Sequence, residues 1–291
     1  VVYYLGAMAL CGLLGWLCIR RKPPVTALYA REGFVIVAMS WILLSLMGAL
    51  PLWLSREIPS FVDALFETVS GFTTTGASIL PEVERLSHAA LIWRSFTHWV
   101  GGMGVLVFIM AFVPLSGGRN MHIMKAESPG PQVDKLVPKV QSTAKILYGI
   151  YVALTVLEMA CLRIAGLSWF SAVNHAFTTM ATGGFSINNT SLAGSSPAVM
   201  WIITVFSFLA GVNFSLLFLA ATGKLRTALR SEELRVYTAI VVSVTLLICV
   251  CLRVQAGVPL GESVTDAAFQ TVTIMTTTGF ATVDFTLWTT F

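Results

Sequence analysis

The chain has 291 residues, of which 56% are hydrophobic and only 11% charged. Average soluble domains carry about a quarter charged residues, so this composition and a mean hydropathy of +0.81 exclude an ordinary soluble domain and point to a membrane protein. The formal net charge of +4 is small enough for the positive-inside rule to account for it, and no nucleic-acid partner is implied.

Six stretches have the roughly 20 apolar residues that a bilayer-spanning helix needs: 1–19, 33–54, 89–115, 146–165, 197–222 and 237–254. The first ends in Arg20-Arg21-Lys22 with no small-residue cleavage site, which reads as a spanning helix rather than a signal peptide. The third is marred near its start by Arg94 and His98, four apart on one helical face. They are expected to snorkel at the interface, with a pH-sensitive or cation-repelling site at the outer mouth as the alternative. Glu158, Arg163 and Arg253 are read as anchors near outer helix ends, Glu158 and Arg163 pairing loosely. The five cysteines lie in apolar stretches without a CxxC pair and read as packing residues.

The linkers divide by charge. Residues 20–31, 116–145 and 223–236 hold 13 of the 18 basic residues, which places them in the cytoplasm. The linker 116–145, with Pro129, Pro131 and Pro138, is either a solvated loop or a contact for a cytoplasmic regulator. The linkers 55–88, 166–196 and 255–282 hold Glu57, Asp63, Glu67, Glu82, Glu84, Glu262 and Asp266 and face outward.

Each outward linker contains a short, moderately apolar segment, at 61–72, 169–180 and 264–275. A helix of that length is under about 20 Å long. It enters a bilayer partway and turns back, which is tolerated only inside protein or beside a water-filled cavity. Where each segment ends, a Thr/Gly run begins: TTTGAS at 73–78, ATGGFS at 181–186 and TTTGFAT at 276–282. Aligned on Gly76, Gly184 and Gly279, which are 108 and 95 residues apart, Asp63, Ser171 and Asp266 share one position and Glu67, His175 and Gln270 another. Asp63 and Asp266 are expected to cap their half-helices, and Glu67 either to buttress its turn through a backbone hydrogen bond or to serve no such role.

The resulting fold class is an all-α polytopic membrane protein of parallel repeats, each a spanning helix, a re-entrant half-helix, a Thr/Gly turn and a second spanning helix. An extra helix fills 1–22, the first repeat 33–115, the cytoplasmic linker 116–145, the second repeat 146–222 and an incomplete third 237–291. A dehydrated cation needs oxygen ligands. Backbone carbonyls on a glycine-containing strand supply them, and several turns around one axis enclose an ion where one cannot.

The blocks DALFETVSGFTTTGAS at 63–78, WVGGMG at 99–104, AESPGP at 126–131, HAFTTMATGGFS at 175–186, GVNFSLLF at 211–218 and TTTGFATVDF at 276–285 closely resemble the Trk/Ktr/HKT superfamily of cation transporters, in particular its TrkH-type bacterial potassium-uptake subunits. The resemblance implies four helix–half-helix–helix units around a pseudo-fourfold pore axis, of which three filter segments are present here. It implies channel-like potassium uptake and no enzymatic activity, with K+ held by the carbonyls of Thr74, Thr75 and Gly76, of Thr182, Gly183 and Gly184, and of Thr277, Thr278 and Gly279. Glycine at the three central positions goes with potassium preference in this superfamily. The resemblance also implies homodimerisation, regulation by a cytoplasmic nucleotide-binding ring of the TrkA type, and a multi-pass location in the bacterial inner membrane. A proton- or sodium-coupled cation symporter is the alternative. A carrier for another solute is disfavoured by the lack of charge in 99–115, 197–222 and 237–250.

Overall fold

The computed structural model describes residues 2–20, 30–104, 140–284 and 288. Among them are eleven α-helices: α1 (Val2–Arg20), α2 (Ala30–Leu54), α3 (Phe61–Phe72), α4 (His88–Gly102), α5 (Val140–Ile164), α6 (Trp169–Met180), α7 (Pro197–Ala210), α8 (Phe214–Ala221), α9 (Leu225–Leu229), α10 (Glu232–Gln255) and α11 (Leu260–Met275). The chain divides into two compact units, Val1–Tyr148 and Gly149–Phe291. Most of the linker 116–145, the segment 105–115 and the AESPGP block lie outside the described residues.

Serine begins the elements that matter most. Ser60, Ser87, Ser168 and Ser196 each accept a hydrogen bond from the backbone N–H three residues on, at 3.3, 3.3, 3.1 and 3.4 Å, and so start α3, α4, α6 and α7. Ser60 and Ser168 explain why α3 and α6 coincide with the expected half-helices. Asp63 is therefore a first-turn acid and not the cap of α3. The third half-helix starts four residues earlier than expected, at Leu260, so Asp266 lies inside α11. Its Oδ1 accepts from the Thr282 hydroxyl at 3.4 Å instead of capping N–H groups.

Among the described residues, three helical stretches are long and apolar enough to cross a membrane: Phe34–Leu54, Ala144–Ile164 and Glu232–Gln255. The expected span 197–222 is not one helix. Gly211 ends α7, Asn213 starts α8 by accepting from the Ser215 N–H at 2.9 Å, and the two helices meet at 99°. Within the span expected at 89–115, one helix ends at Gly102, with Gly104 in the left-handed region at φ 74°. Hydropathy does not register such breaks, because Gly and Val at 211–212 remain apolar while the backbone turns. Both second helices stop 26 residues past the glycine of their own Thr/Gly turn.

In the first unit α2 and α4 close around α3. Side chains at Gly48 or Gly101 would have no room: a Cβ on Gly48 would sit 2.8 Å from Thr68 Cγ2, and one on Gly101 would overlap the Phe72 carbonyl. Trp93 Nε1 donates to the Gly48 carbonyl at 3.0 Å, joining α4 to α2. In the second unit Leu162 of α5, Ala172 and Ala176 of α6, Val199 and Ile203 of α7, and Phe269 of α11 form one core with Leu192 and Phe280. The half-helices α6 and α11 are thus packed inside protein, the setting that re-entrant backbone requires. By contrast α10 leaves Val242, Leu246, Leu247 and Val250 exposed on its outer surface, a face suited to lipid acyl chains.

Candidate ion filter: three left-handed Thr/Gly turns

The first two half-helices end in the same way, and the third in a variant of it. At the end of α3 the N–H of Thr74 donates to the Gly71 carbonyl at 3.1 Å and that of Thr75 to Ser70 at 2.9 Å. After α6, Thr182 donates to Thr179 and Gly183 to Thr178, both at 2.9 Å. After α11, Thr277 donates to Ile274 at 3.0 Å and Gly279 to Thr273 at 3.1 Å. The first two are Schellman closures, and the third keeps the short bond while its longer one spans six residues; in such closures the residue beyond the cap is left-handed and is usually glycine. Here it is threonine each time: Thr74 at φ 55°, Thr182 at 51° and Thr277 at 60°. Two residues on comes a left-handed glycine, Gly76 at 76°, Gly184 at 77° and Gly279 at 79°. A β-branched residue is an outlier at such angles and costs about 1–2 kcal/mol. Three repetitions of that cost, at matching positions, mark a conformation that is held for a purpose.

The supports differ. In the first turn the Thr73 hydroxyl bonds the Val69 carbonyl at 2.8 Å and meets the Thr75 hydroxyl at 2.8 Å. The third repeats this with Thr276 on Val272 at 2.7 Å and Thr276 against Thr278 at 2.8 Å. The second has Ala181 and Gly183 at these positions. It rests instead on the third: a Cβ on Gly184 would overlap the Thr278 carbonyl. In addition, Leu192 N–H donates to the Ala281 carbonyl at 3.0 Å, Ala281 N–H to Ser191 Oγ at 3.2 Å, and the His175 and Phe280 rings meet edge to face at 5.8 Å.

Past the first turn, Glu67 is the organising group. It is 1% exposed. Its carboxylate accepts from Ser78 Oγ at 2.9 Å, from the Ile79 N–H at 3.1 Å and from Arg94 Nε at 2.7 Å, with Arg94 Nη2 at 2.6 Å. The expected buttress is therefore present. Arg94 corrects the interfacial reading, because it is only 3% exposed, and His98 beside it is buried against the Ser70 backbone. Glu67 and Arg94 are 27 residues apart in sequence, and periodicity does not link them. The available signal is that a charge within an apolar helix needs an opposite partner, and Glu67 is the nearest buried acid in the preceding half-helix. Glu158 also departs from expectation. It is fully buried on α5 with the Thr179 hydroxyl beside it, while Arg163 lies 5.8 Å over the Trp169 ring. At the positions equivalent to Glu67, His175 and Gln270 are also buried, and both Gln270 side-chain polar atoms lack a hydrogen-bond partner.

Spanning helices, half-length helices buried beside them and strained small-residue turns at their ends define a polytopic membrane protein with re-entrant segments. Residues 4–291 match the family model described as TrkH, cation transport protein, and the chain belongs to that family. It is 38% identical to the Trk system potassium uptake protein TrkH of Salmonella typhimurium, over 97% of this chain and 59% of that protein. To TrkG of Escherichia coli it is 34% identical, over 90% of this chain and 55% of that one. The crystal structure of the potassium transporter TrkH from Vibrio parahaemolyticus superimposes with a TM-score of 0.85 at 31% identity, covering 99% of this chain and 60% of that one. The chain thus spans about three-fifths of the length of these relatives.

Proposed function

We propose that the protein takes part in potassium uptake across the bacterial inner membrane, and that each Thr/Gly turn supplies one wall of the filter. The observation that carries this is the recurrence of a left-handed Thr and a left-handed Gly, two residues apart, at three half-helix ends. Alternating handedness along a strand turns successive peptide planes the same way, so that neighbouring carbonyls face one side and replace an ion's water shell. The N–H groups of Thr74, Thr75, Thr182, Gly183, Thr277 and Gly279 donate to the helix ends behind them, and the carbonyls of Thr74, Thr75, Gly76, Thr182, Gly183, Gly184, Thr277, Thr278 and Gly279 are the ligands for K+ in this reading. The backbone approach of Gly184 to Thr278 is consistent with two walls of one narrow path. The relatives, which are Trk system potassium uptake proteins, and the positive-inside rule support outward-facing turns, cytoplasmic basic linkers, and a Trk-type assembly. In that assembly the protein is a homodimer gated by a TrkA-type nucleotide-binding ring.

The test is Gly76→Ser. Serine disfavours φ 76° and rotates the carbonyls of its wall, so the potassium-to-sodium uptake ratio of cells lacking their own potassium systems should fall. An unchanged ratio argues against coordination by the turns and in favour of a coupled symporter with its site elsewhere.

A further inference from the structure

The segment after the first turn, 76–80, has no regular secondary structure, so its polar backbone must find partners outside a helix ladder. One buried carboxylate provides them. Glu67 accepts from the Ile79 N–H and from the Ser78 hydroxyl. Arg94 binds the same carboxylate through Nε and Nη2, and Nη2 also donates to Ser78 Oγ at 3.3 Å. Ser78 Oγ accepts in addition from the Leu80 N–H at 3.3 Å. The hydroxyl is thereby fixed as donor toward Glu67 and acceptor from Arg94, and three residues from three segments close one ring. At the equivalent place in the second repeat, Ser186 donates to the Ser191 carbonyl at 3.1 Å, within its own loop. In the third repeat the residue is Ala281, without a hydroxyl, and the Gln270 side chain makes no hydrogen bond. Among the described residues, bracing by a buried ion pair occurs at the first turn alone.

We propose that Glu67 and Arg94 act together as a positioning pair. They hold the outer leg of the first turn in place and thereby set discrimination between potassium and sodium at that wall, an inference that rests on the potassium reading above. Neither group touches the ion. Arg94 brings a fixed planar fork that lysine lacks, and Glu67 cancels its charge, so that no naked cation stands beside a cation path. Carbonyls that must match the size of one dehydrated ion tolerate little play. A wall tethered by charged hydrogen bonds from a rigid helix has less play than one tethered within its own loop.

The experiment compares potassium and sodium flux, and protection against thermal unfolding by each ion, for wild type, Glu67→Gln, Arg94→Met, the double variant, and Arg85→Met. Arg85 pairs with Glu82 at the surface between the first turn and α4 and controls for simple loss of positive charge. The single variants leave one buried charge unpaired and should lose thermal stability, and the double variant should recover it. The potassium-to-sodium ratio should fall about tenfold, the factor one charged hydrogen bond is worth, in Arg94→Met and equally in the stable double variant. Arg85→Met should keep the wild-type ratio. A folded double variant with the wild-type ratio overturns the pair's role while leaving the potassium reading intact. Equal slowing of both ions with an unchanged ratio overturns it too, and makes the pair a purely electrostatic feature. A wild type that prefers neither ion, in flux or in protection, overturns the potassium reading and the pair with it.

Discussion

At the first turn, Thr73 and Thr75 share a hydroxyl contact and a buried carboxylate grips the residues that follow. At the second, the same two positions are Ala181 and Gly183, and support comes from the neighbouring turn through the Thr278 carbonyl, Ala281 and Phe280. Yet Thr74 and Thr182 differ by only a few degrees in φ, as do Gly76 and Gly184. The comparison separates what the repeat must keep from what it can exchange. The left-handed pair is kept, and the side chains behind it are not. A turn with its own hydroxyls and charges is self-supporting, whereas one built of Ala and Gly borrows its rigidity from whatever it touches.

The largest expected effect attacks the borrowed support. Gly184→Ala places a methyl into the Thr278 carbonyl as well as straining φ 77°, and should cost about 3–5 kcal/mol in detergent unfolding of the purified protein. Gly279→Ala has the same φ problem with open space around its Cβ, and about 1–2 kcal/mol is expected. Equal losses at the two glycines would show that the contact between the turns contributes nothing. Next, Thr276→Val removes both hydroxyl bonds of the buried third turn and should cost about 1–2 kcal/mol, with Thr73→Val, which is exposed, costing less. Smaller again, and opposite in sign, Thr182→Gly relieves a left-handed β-branched residue and should gain up to about 1 kcal/mol. A loss there instead would mean that the Thr182 side chain carries a contact stronger than its strain.

Much of this was legible from residues. Ser60 and Ser168 fix two half-helices to the residue, and the spacing of Gly76, Gly184 and Gly279 aligns the turns. The start of the third half-helix is hidden in the sequence because Pro259 and Gly261 look like loop residues, whereas proline ahead of a helix's first turn is tolerated. Hydropathy passes over the breaks after Gly102 and Gly211 because both are apolar in composition and only backbone geometry distinguishes them. The Glu67–Arg94 pair and the burial of Glu158 depend on which faces of separate helices meet, information that a linear pattern does not carry. The alignment of Glu67 with His175 and Gln270 did show that one repeat differs in charge from its siblings.

The link between Ser191 and Ala281 has a consequence for how the protein is made. These residues are separated by 90 positions, and the ribosome adds about 5–20 residues per second. The second turn therefore emerges several seconds before the segment that steadies it. During that interval its Ala and Gly backbone lacks the bonds between Ser191, Leu192 and Ala281, so the nascent second repeat should be the stage most open to membrane quality-control proteases.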